Sequence, residues 1–279
     1  MTGLHIVRPE NLDAALAALA EAGGGLTPIA GGTDLCVSWH ARAKEDLRLL
    51  DLSRLSGELR AIRLDDAWLE LGAMTTYWDV IRHADAAQAF PLLVEAGRQV
   101  GAIQIQTRGT WAGNIGNGSP AADGVPVLMA YDATVVLASA TGRREVALDA
   151  YFTGYRESVR QADELIVAIR LPRRARQVEW FHKVGARQAQ AITKVGVAVV
   201  RDEVGWRVTA NSVAPTVIRC SHFEAALEGG EAFDSTERVE EVLKRDISPI
   251  DDIRSTRAYR SRVLARLLYY FLFRDGAAG

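Results

Sequence analysis

The sequence predicts an α+β protein: two small α/β units in succession, then a smaller domain of antiparallel strands and helices. Three observations predict it. Strand-like and helix-like patterns alternate from His5 to Leu52, and they alternate again from Trp68 to Leu171. Past the charged segment Arg173–Gln177, which follows Pro172 and carries no large apolar residue, strands come first and helices last. The expected domains are residues 1–175, with subdomains of about 1–55 and 56–175, and residues 176–279.

In chain order, His5–Pro9 reads as a short strand ended by proline. Glu10–Ala22 reads as a helix, because Leu12, Leu16 and Leu19 share one face and Gly23, Gly24 and Gly25 stop it. Leu26–Ala30 is a strand that runs straight into Gly31-Gly32-Thr33-Asp34, and the residues from Asp34 onward are helical or irregular. Leu47–Leu52 is the next strand. In the second unit Trp68–Ala73 is a strand and Thr76 suits the N-cap of a helix over Tyr77–Ala84. Phe90–Val100 is a helix with Leu92, Leu93, Ala96 and Val100 inward, and Asp123 suits the N-cap of a short helix over Val125–Asp132. Thr134–Ser139 and Arg144–Leu148 form a hairpin around Ala140–Arg143, and Glu164–Leu171 is a strand rich in β-branched residues.

In the last domain Val178–Val184 and Ile192–Val200 are strands, and Trp206–Ala214 pairs with the latter across Asp202–Gly205. Helices follow over His222–Leu227, Glu237–Lys244 and Thr256–Phe273. In the last of these, Tyr259, Val263, Leu267 and Tyr270 share a stripe, and Arg257, Arg260, Arg262 and Arg266 make a solvated or partner-facing side.

Composition excludes several classes. The chain has 279 residues, 48% hydrophobic and 24% charged, enough for a sizeable core in an ordinary globular protein. Net charge is −2 with scattered lysines and arginines, which argues against a nucleic-acid or anionic-membrane surface. No signal-peptide pattern and no run of 18 apolar residues occurs, so a cytoplasmic protein without a membrane span is expected. Cys36 and Cys220 are far apart and cannot alone hold an iron–sulfur cluster or a four-cysteine zinc; a disulfide between them is left open.

The usual chemical signatures are missing. There is no GxxxxGK[ST], no GxGxxG after a strand, no HExxH and no GxSxG, and His5, His40, His83, His182 and His222 are isolated. No catalytic side chain and no metal site are expected. Two glycine stretches remain. The first is Ala30-Gly31-Gly32-Thr33-Asp34. The second lies in Thr107–Gly124, with five glycines and two asparagines, and includes Gly109-Thr110-Trp111-Ala112-Gly113-Asn114. Glycine allows close approach to backbone, and successive N–H groups form an anion nest, so two such loops can clamp one diphosphate from both sides. Two tight turns needing positive φ would account for the same residues.

AGGTDL at 30–35 and TRGTWAGNIGNGSPAAD at 107–123 resemble the FAD-binding subunit of the molybdenum hydroxylases, the xanthine dehydrogenase / carbon monoxide dehydrogenase medium-subunit family. YRESVRQADELIVAIRLP, FHKVGARQAQAITKVGVAVV, SVAPTVIRCSHFEAAL and PIDDIRSTRAYRSRVLARLL extend the resemblance, in family order, over nearly the whole chain. It implies an FAD domain of the vanillyl-alcohol oxidase (PCMH) type followed by a CO dehydrogenase flavoprotein-like C-terminal domain.

The resemblance implies site residues one by one. Ile29, Ala30, Gly31, Gly32, Thr33, Asp34 and Leu35 match the first diphosphate loop, and Gly109, Thr110, Gly113, Asn114 and Gly116 the second. Asp123 matches an aspartate at the adenosine ribose. Ile166 would flank the isoalloxazine or adenine end. Lys183 matches a lysine near the flavin's carbonyl edge, where a cation favours anionic reduced flavin; a surface lysine on a strand is the alternative. Two departures stand out. Trp111-Ala112 replaces Ile or Tyr followed by Gly, and Ile105-Gln106-Thr107-Arg108 replaces a frequent Ile-Arg. With two cysteines, the extra four-cysteine cluster of some relatives is not expected.

The implied function is electron transfer. FAD in this chain would take electrons from two [2Fe–2S] clusters on a small subunit, themselves fed by a molybdopterin on a large subunit. It would pass them to NAD, oxygen or a quinone, in a dimer of heterotrimers. The alternatives are a self-contained flavin oxidoreductase of the same fold, or a non-redox nucleotide-binding scaffold.

Overall fold

The computed structural model of the chain describes residues 4–38 and 47–274. Its first unit is a parallel sheet of β1 (His5–Val7), β2 (Thr27–Ile29) and β3 (Arg48–Asp51) in the order β1-β3-β2. Helix α1 (Leu12–Ala22) connects β1 to β2, buries Leu12, Leu16 and Leu19, and ends on Gly23 at φ 53°. Its start is capped by Asn11, whose side chain accepts from Ala14 N–H. Beyond β2 the chain turns through Gly31–Asp34 into α2 (Leu35–Ser38). The expected helical or irregular run from Asp34 therefore begins as a helix, and its remainder, with His40, lies outside the described residues.

The second unit starts with α3 (Ser56–Leu59), β4 (Ile62–Leu64) and β5 (Trp68–Gly72). Helices α4 (Tyr77–Arg82), α5 (Ala84–Ala89), α6 (Pro91–Gln99), α7 (Ile103–Gln106), α8 (Trp111–Asn117) and α9 (Gly124–Ala130) follow. Thr76 caps α4 as expected, within a full capping box with Asp79. The chain then returns to strands: β6 (Thr134–Ser139), β7 (Gly142–Ala147), the small pair β8 (Phe152–Gly154) and β9 (Glu157–Ser158), and β10 (Leu165–Pro172). The sheet order is β4-β5-β10-β6-β7, antiparallel at every pairing. The last-arriving strand, β10, thus lies at the centre, and it is buried except at Arg170, as its continuous apolar run requires.

The last unit is the antiparallel sheet β11 (Arg176–Val184), β12 (Val195–Asp202), β13 (Gly205–Asn211) and β14 (Ile218–Arg219), followed by α10 (Ser221–Glu228), α11 (Thr236–Leu243) and α12 (Arg257–Tyr269). Alternation along β12 assigns its two faces. Ala198 and Val200 join the core that includes α6 and α9, whereas Val195, Val197 and Val199 join the core under α10–α12. The C-terminal sheet is therefore covered on one side by the preceding unit. A buried ionic cluster ties the same seam: Arg207 pairs with Asp202, lies 3.3 Å from Asp132, and donates to the Ala130 carbonyl at 2.9 Å.

Helix α12 corrects an expectation. Tyr259 and Tyr270 are exposed, and the buried stripe is Arg260, Leu264 and Leu268, one residue along. Arg260 is consequently not solvated. It donates to the Lys194 and Ser212 carbonyls and to Asp252, while Arg257, Arg262 and Arg266 stay exposed. The spacing of the tyrosines hid this because Arg260, its two terminal nitrogens paired with carbonyls and a carboxylate, takes an inward position that an apolar count skips. Cys36 and Cys220 are both free, the first exposed and the second buried. Among the described residues no helix is long and apolar enough to cross a membrane.

Candidate functional site

The two glycine stretches meet. A Cβ on Gly31 would overlap the Arg108 carbonyl oxygen and stand 2.5 Å from its carbon and 3.1 Å from Gly109 Cα. A Cβ on Gly109 would stand 3.3 Å from Thr33 Oγ1 and 3.1 Å from the Tyr77 ring. A side-chain bond closes the far end, with Asn117 Nδ2 donating to Asp34 Oδ1 at 3.1 Å. Glycine is needed at 31 and 109 for close approach, and at Gly32 (φ 72°) and Gly118 (φ 60°) for the left-handed backbone. Close approach and tight turning thus both operate, at different positions.

The second stretch is not the open loop expected of it. Thr110 caps helix α8, accepting from Gly113 N–H at 2.9 Å, and Gly118 ends it. Hydroxyl and glycine residues here start and stop a short helix. The start is fixed from outside: Tyr77 N–H donates to Gly109 O at 3.2 Å and Trp111 N–H to Thr75 O at 3.2 Å. Trp111 is fully buried, edge-on to Tyr77 with ring centroids 4.8 Å apart. Its large ring fits because Gly124 leaves it space; a Cβ on Gly124 would stand 3.0 Å from it. The departure from the family pattern at Trp111-Ala112 is therefore absorbed in the core.

Several main-chain donors at this junction remain unused. The N–H groups of Gly31, Gly32, Thr33 and Asp34 on one side, and of Thr110 and Ala112 on the other, donate to no described residue. An N–H needs an acceptor when water is displaced. A set of such donors on two chain segments in contact suits an anionic group such as a diphosphate.

Asp123 lies beyond the end of α8. It occupies the position before α9, but its carboxylate makes no cap bond there, so the expected N-cap is corrected. The carboxylate is claimed instead by the C-terminal domain. Lys183 Nζ donates to Asp123 Oδ2 at 2.6 Å and to the Gln99 carbonyl at 2.8 Å, and the Thr193 hydroxyl donates to Asp123 Oδ1. Burial raises the Asp123 carboxyl, against the opposing pull of Lys183 and Thr193. The Lys183 side chain is 5% exposed, so the surface-lysine alternative fails.

All the sequence-predicted residues fall into one connected region. Ile29 ends β2 and packs beneath Gly32, whose added Cβ would stand 3.5 Å from Ile29 Cδ1; Ala30 continues the turn and Leu35 opens α2. Gly116 faces Ile166, 3.8 Å from an added Cβ to Ile166 Cδ1. Asn114 Oδ1 accepts from Gly124 N–H at 3.1 Å and joins α8 to the Asp123 segment. Tyr77, Gln99 and Thr193 were missed. Tyr77 has a signal, the Thr76 cap beside it; Gln99 acts through its backbone carbonyl, and Thr193 sits in an unremarkable QAQAITKV run. Among the described residues no group of His, Cys, Asp and Glu is placed to hold a metal.

Residues 2–174 match the family described as FAD binding domain in molybdopterin dehydrogenase, and residues 180–274 match the CO dehydrogenase flavoprotein C-terminal domain. The carbon monoxide dehydrogenase medium chain of Hydrogenophaga pseudoflava is 30% identical over 268 residues, 93% of this chain and 92% of that one. The xanthine dehydrogenase FAD-binding subunit of Escherichia coli O157:H7 is 29% identical over 245 residues, 85% of this chain and 84% of that one. Among solved structures, carbon monoxide dehydrogenase from Hydrogenophaga pseudoflava superposes with a TM-score of 0.87 at 29% identity, covering 95% of this chain and 94% of its own. A Cu,Mo-CO dehydrogenase in its cyanide-inactivated form gives 0.89 at 25% identity, with 100% of both chains covered.

Proposed function

The chain belongs to the molybdopterin dehydrogenase flavoproteins, the family of the carbon monoxide and xanthine dehydrogenase FAD subunits, and from that membership we propose that it is the FAD-carrying electron-transfer subunit of a cytoplasmic molybdenum hydroxylase. The observation that carries the proposal is the meeting of Gly31–Asp34 with Gly109–Ala112, where several N–H groups have no acceptor among the described residues. These groups would hold the diphosphate. Asp123, acceptor-only while ionised, would take a ribose hydroxyl, and Ile166 would give an apolar wall. Lys183 keeps Asp123 paired and holds two of its own N–H groups on Asp123 and Gln99, which leaves it a third for a ligand. Tyr77 and Trp111, packed beneath the junction, keep water from its inner side.

Bound FAD supplies the redox chemistry, linking [2Fe–2S] clusters on a small partner subunit to NAD, oxygen or another acceptor. The substrate is oxidised at a molybdopterin on a large partner subunit, and the assembly is a dimer of heterotrimers. This division of labour fits a site that offers backbone donors, one carboxylate and one ammonium.

The test is purification of the chain from its native host. Oxidised-flavin absorption, release of one FAD per chain on denaturation, and co-purifying molybdenum and iron–sulfur chains are expected. Colourless, flavin-free protein would refute the cofactor assignment. Yellow protein that purifies alone and oxidises substrate unaided would refute the subunit assignment.

A further inference from the structure

Asp123 is gripped by both feet of one hairpin loop. Strand β11 ends at Val184 and β12 begins at Val195, so Lys183 and Thr193 stand at the two bases of the connecting loop, and both bond to the same carboxylate. The segment leading to Asp123 is held by the same domain: Ser212 N–H donates to Pro120 O at 2.7 Å and Asn211 Nδ2 to Ala122 O at 2.7 Å. Thr193 is itself fixed, 1% exposed, its carbonyl accepting from Ser212 Oγ at 3.1 Å. The second unit therefore supplies the carboxylate, and the C-terminal domain sets its direction.

We infer that Thr193 is a positioning residue for the cofactor site: its hydroxyl fixes Asp123 Oδ1 while Lys183 fixes Oδ2, so that the remaining lone pairs point at a ligand hydroxyl. The inference rests on the cofactor assignment above. A hydroxyl is the suitable group at this place, since it donates to one oxygen without adding a second positive charge beside Lys183. Valine has nearly the same shape and cannot donate. In a Thr193→Val protein the carboxylate keeps only Lys183, its rotation is freed, and its protonation becomes easier in the buried setting. The charged and titratable groups facing Asp123 are Lys183 on β11 and Tyr77 on α4, neither of which the substitution touches.

The experiment is titration of the full chain, stripped of flavin, with FAD from pH 5 to 8, for wild type, Thr193→Val and Thr193→Ser. Wild type binds FAD. Thr193→Val binds at least roughly tenfold more weakly, the effect of losing a hydrogen bond to a charged group, and its affinity falls away on acidification from a higher pH than in wild type. Thr193→Ser stays within about threefold of wild type, because the hydroxyl rather than the methyl is responsible. A Val variant with wild-type affinity and pH profile overturns the inference alone, as does a Ser variant as weak as the Val variant. A wild-type chain that binds no FAD overturns the cofactor assignment, and the inference with it.

Discussion

Gly31 and the carbonyl of Arg108 share space that no side chain can enter: an added Cβ would overlap the carbonyl oxygen. Residues 77 positions apart in sequence are thereby packed backbone to backbone, and on either side of the contact lie main-chain donors without an acceptor among the described residues. Neither group can yield as a flexible side chain would, so alanine at 31 must push the segments apart. Overpacking of this kind costs about 1–3 kcal/mol. Gly31→Ala is expected to fold and to bind FAD at least tenfold more weakly, measured by flavin content and fluorescence titration; full FAD occupancy would show that the contact is dispensable.

Helix α8 gives a second prediction. An added Cβ at Gly113 would stand 2.8 Å from Thr110 Oγ1, the atom that caps the helix. Asn114 Oδ1 holds Gly124 N–H, the link to the Asp123 segment. Gly113→Val and Asn114→Leu should each give flavin-free protein, whereas Thr110→Ser, which keeps the cap oxygen, should retain FAD. Loss of the cap alone, in Thr110→Ala, should lower stability by about 0.5–2 kcal/mol in urea unfolding.

Much of this was legible in the sequence, and the illegible parts have physical causes. Continuous β-branched apolar runs located β10 and β12, which are buried on both faces, and the 3.6 period located α1 and α6, which each bury one face. The two glycine stretches could be paired from their residue types as one possible clamp, but two separate tight turns explained them equally well, since spacing says nothing about which loops touch. Helix α8 was hidden because its glycines and asparagines, poor helix formers, serve as close-approach and connecting residues. Asp123 had the sequence context of an N-cap, but a buried ammonium outcompetes a backbone N–H for a carboxylate. Arg260 was placed outward because its partners, two carbonyls and Asp252, come from distant or irregular segments.

The Lys183–Asp123 pair predicts a pH-dependent defect. Removing the ammonium in Lys183→Met leaves a buried carboxylate with only Thr193 as donor, a loss of about 3–5 kcal/mol at pH 8. Burial already raises the folded Asp123 carboxyl above its unfolded value, and the variant raises it further. The unfolded chain keeps an ordinary carboxylate near ~4, so the folded variant gains protons first as pH falls. The stability gap to wild type should therefore narrow on acidification toward pH 4. Urea unfolding across that range checks it; a gap independent of pH would mean that Lys183 acts through packing alone.

At the seam between the two domains a carboxyl is shifted in the opposite direction. Burial works to raise the Asp202 carboxyl, but the Arg207 hydrogen bond, the Val204 N–H and the charges of Arg207 and Arg174 outweigh it and hold the group below the usual carboxylate range. A depressed folded pKa stabilises above the unfolded value near ~3.9 and loses that contribution as pH falls through the folded one. Asp202→Asn leaves the buried Arg207 guanidinium with Asp132 at 3.3 Å and the Ala130 carbonyl as its polar contacts across the seam. The variant should lose about 3–5 kcal/mol at pH 7, the cost of breaking a buried pair. Its deficit should shrink below pH 4, where wild type loses the same interaction. Because Arg207 belongs to the C-terminal domain and Asp132 and Ala130 to the preceding unit, the variant should also loosen the seam, read as faster amide exchange in α9 and β13 than in β10.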